Sequence, residues 1–196
     1  MIRVAASDPT AVTIFWQIIR SGGLVAYPTD TLYGLGADAF SQSAAARIAA
    51  VKGRGGPFSV MVGDLDQLGE YALVSAEIAD KLVGMLPGPY TIVLSPIQPE
   101  RLAPVVEGPG ERVGFRIPDH AFIQAAYQRD RGVVISTSVN RTGEPPLQNP
   151  DDIQKLFSEE IDLLVDAGSL PHSLGSTVVD PATEPWRVIR QGDGRL

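Results

Sequence analysis

Leu24-Val25-Ala26-Tyr27-Pro28-Thr29-Asp30-Thr31 decides how this chain is read. The first four residues are apolar and form a short buried strand; Pro28 must turn the chain, so a polar segment leaves from the strand's end. Loops in that position commonly carry function. Upstream, Asp8 as N-cap, Pro9 in the first turn, and Val12, Phe15, Trp16 and Ile19 at helical spacing predict a helix over 9–21, stopped by Gly22-Gly23. Downstream, the Ala-rich stretch 41–51 predicts a second helix. It runs into Lys52-Gly53-Arg54-Gly55-Gly56-Pro57, whose glycines let a ligand approach the backbone.

Apolar runs at 58–62, 90–94, 112–117, 133–138, 161–165, 177–179 and 187–190 read as further short strands. Helices are expected after Asp64 and at 76–85, 120–128 and 151–157, with Pro87 and Pro89 breaking the third of this chain's longer helices. Residues 98–111, rich in Pro, Glu and Gly, are the most loop-like insertion. Irregular alternation of strands and helices implies an α+β (α/β-like) fold, a mixed sheet flanked by helices. No repeat or low-complexity linker divides the chain, so residues 1–196 are expected to form a single domain.

The 196 residues suffice for one core. Sixteen Lys and Arg against 23 Asp and Glu give a net charge of -7, so no overall basic field draws in a polyanion. The cations are almost all arginine, with only Lys52, Lys81 and Lys155 besides, a bias toward planar forks that grip phosphates and carboxylates. Small anionic ligands therefore fit. The absence of Cys excludes disulfides, thiolate metal sites and cysteine nucleophiles. His120 and His172 do not stand in a metal-ligand spacing, which leaves oxygen-bound magnesium open. There is no signal-peptide pattern at the N-terminus and no run near the ~20 apolar residues needed to cross a bilayer, so no membrane partner and a cytoplasmic location are expected.

Gly34-Leu35-Gly36-Ala37-Asp38-Ala39 nominally matches a dinucleotide fingerprint, but no acidic residue follows ~20 positions on. P-loop and nucleophile-elbow motifs are missing. Other groupings are more informative. Lys52 and Arg54 either complement a helix dipole or meet an anion. In Arg112-Val113-Gly114-Phe115-Arg116-Ile117, alternation puts two guanidiniums and a glycine on one face and three apolar side chains on the other. That is either a solvated strand face or one with room for a ligand. Ser136-Thr137-Ser138-Val139-Asn140 ends an apolar strand with groups that bond phosphate or carboxylate oxygens, or that simply make a turn.

In order along the chain, Tyr27 to Gly36, Lys52-Gly53-Arg54, Pro87-Gly88-Pro89-Tyr90-Thr91, Val113 to Pro118, Ser136 to Asn140 and Ser176 to Asp180 with Arg190 resemble the YrdC-like threonylcarbamoyl-AMP synthase family of the YrdC/YciO superfamily. The likeness runs from about residue 20 to 192. It implies a twisted mixed sheet around a large positively charged cavity, without the additional C-terminal domain of longer relatives. It also implies a nucleotidyltransferase that joins L-threonine, bicarbonate and ATP into L-threonylcarbamoyl-adenylate and pyrophosphate, for tRNA N6-threonylcarbamoyladenosine biosynthesis. Magnesium would come with ATP, and the product would pass to a separate tRNA threonylcarbamoyl transferase; direct tRNA binding is the weaker implication.

Carried over by position, the resemblance gives Thr31, Arg116, Ser136 and Ser176 to L-threonine. It gives Lys52, Arg54, Arg112, Ser138, Asn140, Pro146 and Arg190 to ATP, with Lys52 and Arg54 catalytic. One departure stands out: the family usually has a second Lys just before the Pro that follows its K-x-R, whereas Arg54 leads into Gly55-Gly56-Pro57. Arg112, where the family often has Thr, is the residue that would make up that charge. Two alternatives stay open, a YciO-like nucleotide- or RNA-binding protein without synthase activity and a carbamoyl-adenylate-forming domain of the carbamoyltransferase type. Gly55-Gly56 and the region 141–150 are expected to move.

Overall fold

The structure, a computed structural model, describes residues 1–196. Its ten strands form one mixed sheet. They are β1 (Ile2–Ala5), β2 (Val25–Tyr27), β3 (Gly34–Asp38), β4 (Ser59–Met61), β5 (Tyr90–Leu94), β6 (Val113–Arg116), β7 (Val134–Ser138), β8 (Leu163–Asp166), β9 (Thr177–Asp180) and β10 (Arg187–Arg190). Their order across the sheet is β1-β8-β2-β3-β7-β4-β6-β5-β9-β10. Six α-helices complete the domain: α1 (Ala11–Arg20), α2 (Gln42–Lys52), α3 (Leu65–Tyr71), α4 (Ala76–Val83), α5 (Ala121–Arg129) and α6 (Pro150–Phe157). No helix is long and apolar enough to cross a membrane.

Period-two alternation along the strands explains the layering. Val25, Tyr27, Met61, Val134, Leu163 and Val165 face one side, where they join Phe15, Trp16 and Ile19 of α1 and Phe122, Ile123 and Ala126 of α5. Their immediate neighbours Leu24, Ala26, Val60, Ile135 and Leu164 face the other, in a larger core with Ala44 and Ile48 of α2, Leu68 of α3, Leu82 of α4 and Ile153 of α6. Four edge-to-face aromatic contacts among Phe15, Trp16, Tyr27, Phe122 and Tyr127 lock the smaller core.

The pairing register carries that first face further across the sheet. Gly36 lies opposite Ser136, Ser59 opposite Ser136, Met61 opposite both Val134 and Arg116, and Val93 opposite Gly114. Helices α1 and α5 cover β8, β2 and the Val134 and Met61 ends of β7 and β4 on this face; the part bearing Ser136, Ser138, Ser59 and Gly114 is left open and polar.

Most expected elements occur within a few residues of their predicted ends, and three readings need correction. The first helix starts at Ala11 with Thr10 at its N-cap, because Asp8 spends its carboxylate on the Thr10 amide and hydroxyl in a preceding turn. β1 and β3 are strands where none was expected. Residues 98–111 hold two short 3-10 turns, Pro99–Arg101 and Pro104–Val106.

Candidate functional site

The open part of the sheet face is the floor of a cavity of about 640 Å³. Lys52, Arg54, Arg112, Arg116, Arg187 and Arg190 line it, against a single acidic side chain, Asp180. Every residue assigned to ATP or threonine from the sequence also lines it: Thr31, Ser136, Ser138, Asn140, Ser176 and, on the exposed rim, Pro146 join the cations. Positions 31 to 190 in sequence thus converge on one cavity.

Strand β6 supplies Arg116, and Arg112 just before it joins the same cavity as the alternation predicted; Gly114 between them is what lets the wall close. A Cβ there would stand 2.8 Å from Thr91 Cγ2. Arg116 is 8% exposed. Its Nη2 donates to Thr31 Oγ1 at 3.1 Å and pairs with Asp30 Oδ1 at 3.3 Å, while its buried Nε has no partner. Asp30 also accepts from the Asp119 amide at 3.2 Å. Burial pushes the Asp30 carboxyl above its ordinary value, against the opposing pull of the Arg116 charge.

Arg112 differs from the sequence expectation. Its Nη1 pairs with Asp180 Oδ1 at 2.9 Å, its Nη2 donates to the Val93 carbonyl, and its Nε is buried without a partner. The charge meant to replace the missing Lys is therefore matched by an acid two strands away.

Lys52 ends α2, which Gly53 terminates in the left-handed region at φ 69°. The side chain does more than complement the helix dipole. It is 3% exposed and donates to Ser138 O at 2.8 Å and Asn140 Oδ1 at 2.6 Å. Burial first, and the Arg54 charge second, bring its amine down to about 8. Asn140 Oδ1 also accepts from Ser138 Oγ at 2.5 Å, and its Nδ2 donates to the Arg141 and Glu144 carbonyls. Thr142 N reaches Lys52 O, Arg141 Nη1 reaches Val51 O, and Leu147 N reaches Val139 O. These bonds hold much of the segment that composition alone marked as mobile. Gly56, the other such position, sits at φ 108° against the Val105 carbonyl.

Arg54 donates to Pro57 O at 3.3 Å and lies over the Phe58 ring at 4.7 Å. On the far wall, Ser176 Oγ and Thr91 Oγ1 are 2.7 Å apart, and Arg190 Nη2 donates to Ser176 O at 2.8 Å. Burial and the neighbouring Arg116 charge push Arg190 below its ordinary value, so the two guanidiniums feel each other across the cavity. Sequence reasoning missed Asp30, Tyr27, Ser59, Thr91, Asp180 and Arg187. Asp30, Tyr27, Thr91 and Asp180 lie in motifs already singled out, but their partners are remote in sequence. Nowhere do three or more His, Asp or Glu side chains gather as a metal-holding group.

The Sua5/YciO/YrdC family profile, described as "Telomere recombination", matches residues 17–192. The chain is 35% identical over 183 residues to the Homo sapiens protein named threonylcarbamoyl-AMP synthase, covering 89% of this chain and 64% of that one. The crystal structure of P. abyssi Sua5 complexed with L-threonine superposes with a TM-score of 0.84 at 30% identity, over 97% of this chain and 56% of that one. E. coli YciO superposes with a TM-score of 0.86 at 24% identity, over 99% and 95% of the two chains, a likeness of fold. The chain spans about half to two thirds of the curated relatives it first matches, 52% for the Pyrococcus abyssi protein and 65% for the Bos taurus one.

Proposed function

The chain belongs to the Sua5/YciO/YrdC family, and from that premise we propose that it forms L-threonylcarbamoyl-adenylate and pyrophosphate from L-threonine, bicarbonate and ATP. The observation that carries this reading is the cavity: six cations against one acid, interleaved with serine and threonine hydroxyls, in a protein whose net charge is -7. Such a wall suits a reaction in which anions must meet.

In the proposed reaction, the amine of threonine bonds to the bicarbonate carbon with loss of water, giving a carbamate. A carbamate oxygen then attacks the α-phosphorus of ATP; the bond between that phosphorus and the bridging oxygen breaks, and pyrophosphate leaves with magnesium. No covalent nucleophile is required. Catalysis rests on alignment and charge neutralisation. Arg116, beside Thr31, would fork the carboxylate of threonine, with Ser136 and Ser176 completing that end. Lys52, Arg54 and Arg190 would neutralise the phosphates, Ser138 and Asn140 would shape the loop against the nucleotide, and Pro146 would border it. Arg112 would act through its bond to Asp180. The reading sets the reaction in the cytoplasm and sends the labile product to a separate tRNA transferase.

The Gly55-Gly56-Pro57 sequence, which lacks the family's second Lys, favours the YciO-like alternative of nucleotide binding without synthesis. Pyrophosphate release with ATP, magnesium and bicarbonate separates the readings. Release that depends on threonine and bicarbonate is expected; release only with carbamoyl phosphate would move the chain to the carbamoyltransferase type, and ATP binding without any release would establish the binding protein.

A further inference from the structure

Tyr27 is fully buried beneath the cavity floor, and its hydroxyl has one partner, donating to Ser136 Oγ at 2.9 Å. The ring reaches that far because β3 has no side chains in its way. A Cβ on Gly34 would stand 2.8 Å from the ring, and one on Gly36 would stand 2.7 Å from it. The two glycines that imitated a dinucleotide fingerprint are thus the slot in which the phenol lies. Burial brings the phenol up to about 12, so it keeps its proton, and its role as donor, throughout the range in which proteins work.

That bond decides what Ser136 can do. A serine oxygen has one proton to give and two lone pairs. One lone pair of Ser136 Oγ is taken by Tyr27, and its proton goes to no acceptor in the protein, although the residue is only 1% exposed and lines the cavity. Neighbouring hydroxyls are spent differently. Ser138 gives its proton to Asn140 Oδ1 at 2.5 Å, and Ser59 gives its own to Ser136 O at 2.6 Å. A hydroxyl that already accepts from Tyr27 keeps its own proton free to donate, and the register puts it two strands from Arg116, with Ser59 and Met61 of β4 between them.

We propose that Tyr27 is a positioning residue which, by occupying Ser136 Oγ from below, makes that hydroxyl a dedicated donor to a carboxylate-type oxygen in the cavity. The proposal rests on the functional reading above, in which that oxygen belongs to threonine or to the carbamate formed on it. Tyr27 touches no substrate. Its effect passes entirely through Ser136.

The test is a double-mutant cycle of wild type, Tyr27→Phe, Ser136→Ala and the double variant. It reads the threonine dissociation constant by calorimetry and bicarbonate-dependent pyrophosphate release. Phenylalanine still fills the slot between the glycines, so an unchanged melting temperature is the control for folding. Tyr27→Phe is expected to weaken threonine or lower turnover about tenfold, the scale of one hydrogen bond to a charged group, with ATP affinity unchanged. In the Ser136→Ala background the same change is expected to do nothing. Loss at the binding stage identifies the carboxylate of threonine as the acceptor, and loss only in turnover identifies the carbamate. An active wild type matched by Tyr27→Phe in both readouts overturns the proposal, as does an equal loss in both backgrounds, which would trace the effect to packing. A wild type that neither binds threonine nor releases pyrophosphate overturns the functional reading and this proposal with it.

Discussion

Arg131 and Arg116 show how differently this chain treats the same side chain on its outer surface and in its cavity. Arg131 lies outside and meets Asp64 at 2.9 Å and Glu70 at 2.8 Å, all three about half exposed. Arg116 lies inside, where Thr31 and a longer contact to Asp30 hold two of its donors and its Nε is left without a partner. Outer cations such as Arg3, Arg47 and Lys81 follow the first pattern, each beside one or more carboxylates. In the cavity, Lys52, Arg54 and Arg190 are held by carbonyl and hydroxyl oxygens, which fix a geometry and leave the charge unmatched, and only Arg112, paired with Asp180, follows the outer pattern closely. Six of the 16 cations and only one acid of 23 line the cavity, so a chain negative as a whole is positive where it is concave. Low-dielectric walls strengthen that field, whereas water and salt weaken the outer one.

Arg116→Ala should break the contrast most. It removes the fork proposed for the carboxylate of threonine and leaves Asp30 buried beside no cation, so the threonine requirement should rise at least about 100-fold. A KM for threonine within a few-fold of wild type would end the assignment of Arg116. Arg116→Lys should recover only a small part, because a point charge cannot make the bidentate contact.

Lys52 gives the next largest effect, and it is one of pH. Its amine lies at about 8 in the folded protein, lowered chiefly by burial. An anion binds the protonated form better, so pyrophosphate affinity should be full below pH 8 and fall about tenfold as the pH rises through it. Titration calorimetry across that interval should show the fall in wild type and a flat profile in Lys52→Met. The same descent in both proteins would mean that another group titrates.

Asp180→Asn should sharpen the contrast by a smaller amount. Freeing Arg112 from its 2.9 Å partner adds one uncompensated charge to the wall, and pyrophosphate should bind about threefold more tightly at low salt. Weaker binding in Asp180→Asn would show that Asp180 matters for holding Arg112 in place. Arg131→Ala, the outer counterpart, should change neither turnover nor the melting temperature by more than about 2 °C.

How far the sequence could be read depended on whether a signal was local. Alternation in β6 placed Arg112, Gly114 and Arg116 on one face, and they line the cavity together. Gly34-Leu35-Gly36-Ala37-Asp38 offered no such signal, since glycine and alanine are poor strand formers. It is nonetheless a strand near the middle of the sheet, because β2 and β7 pair with it on both edges and Tyr27 fills the space its side chains do not. Asp30 and Tyr27 were missed for a related reason: their partners Arg116 and Ser136 lie 86 and 109 residues away.

By itself the sequence determined the fold class, most element positions, the family likeness and part of the set of side chains facing one site. These follow from hydrophobic period, turn residues and motif order, all written over short stretches of chain. Only the tertiary structure decided which of those side chains keep their charge and protons free. Arg112 is matched by Asp180, Lys52 is tied to Asn140, and Ser136 is filled from below by Tyr27. A hydrogen bond or ion pair depends on a distance of a few ångströms between atoms, and for residues far apart in sequence only the packed sheet sets that distance.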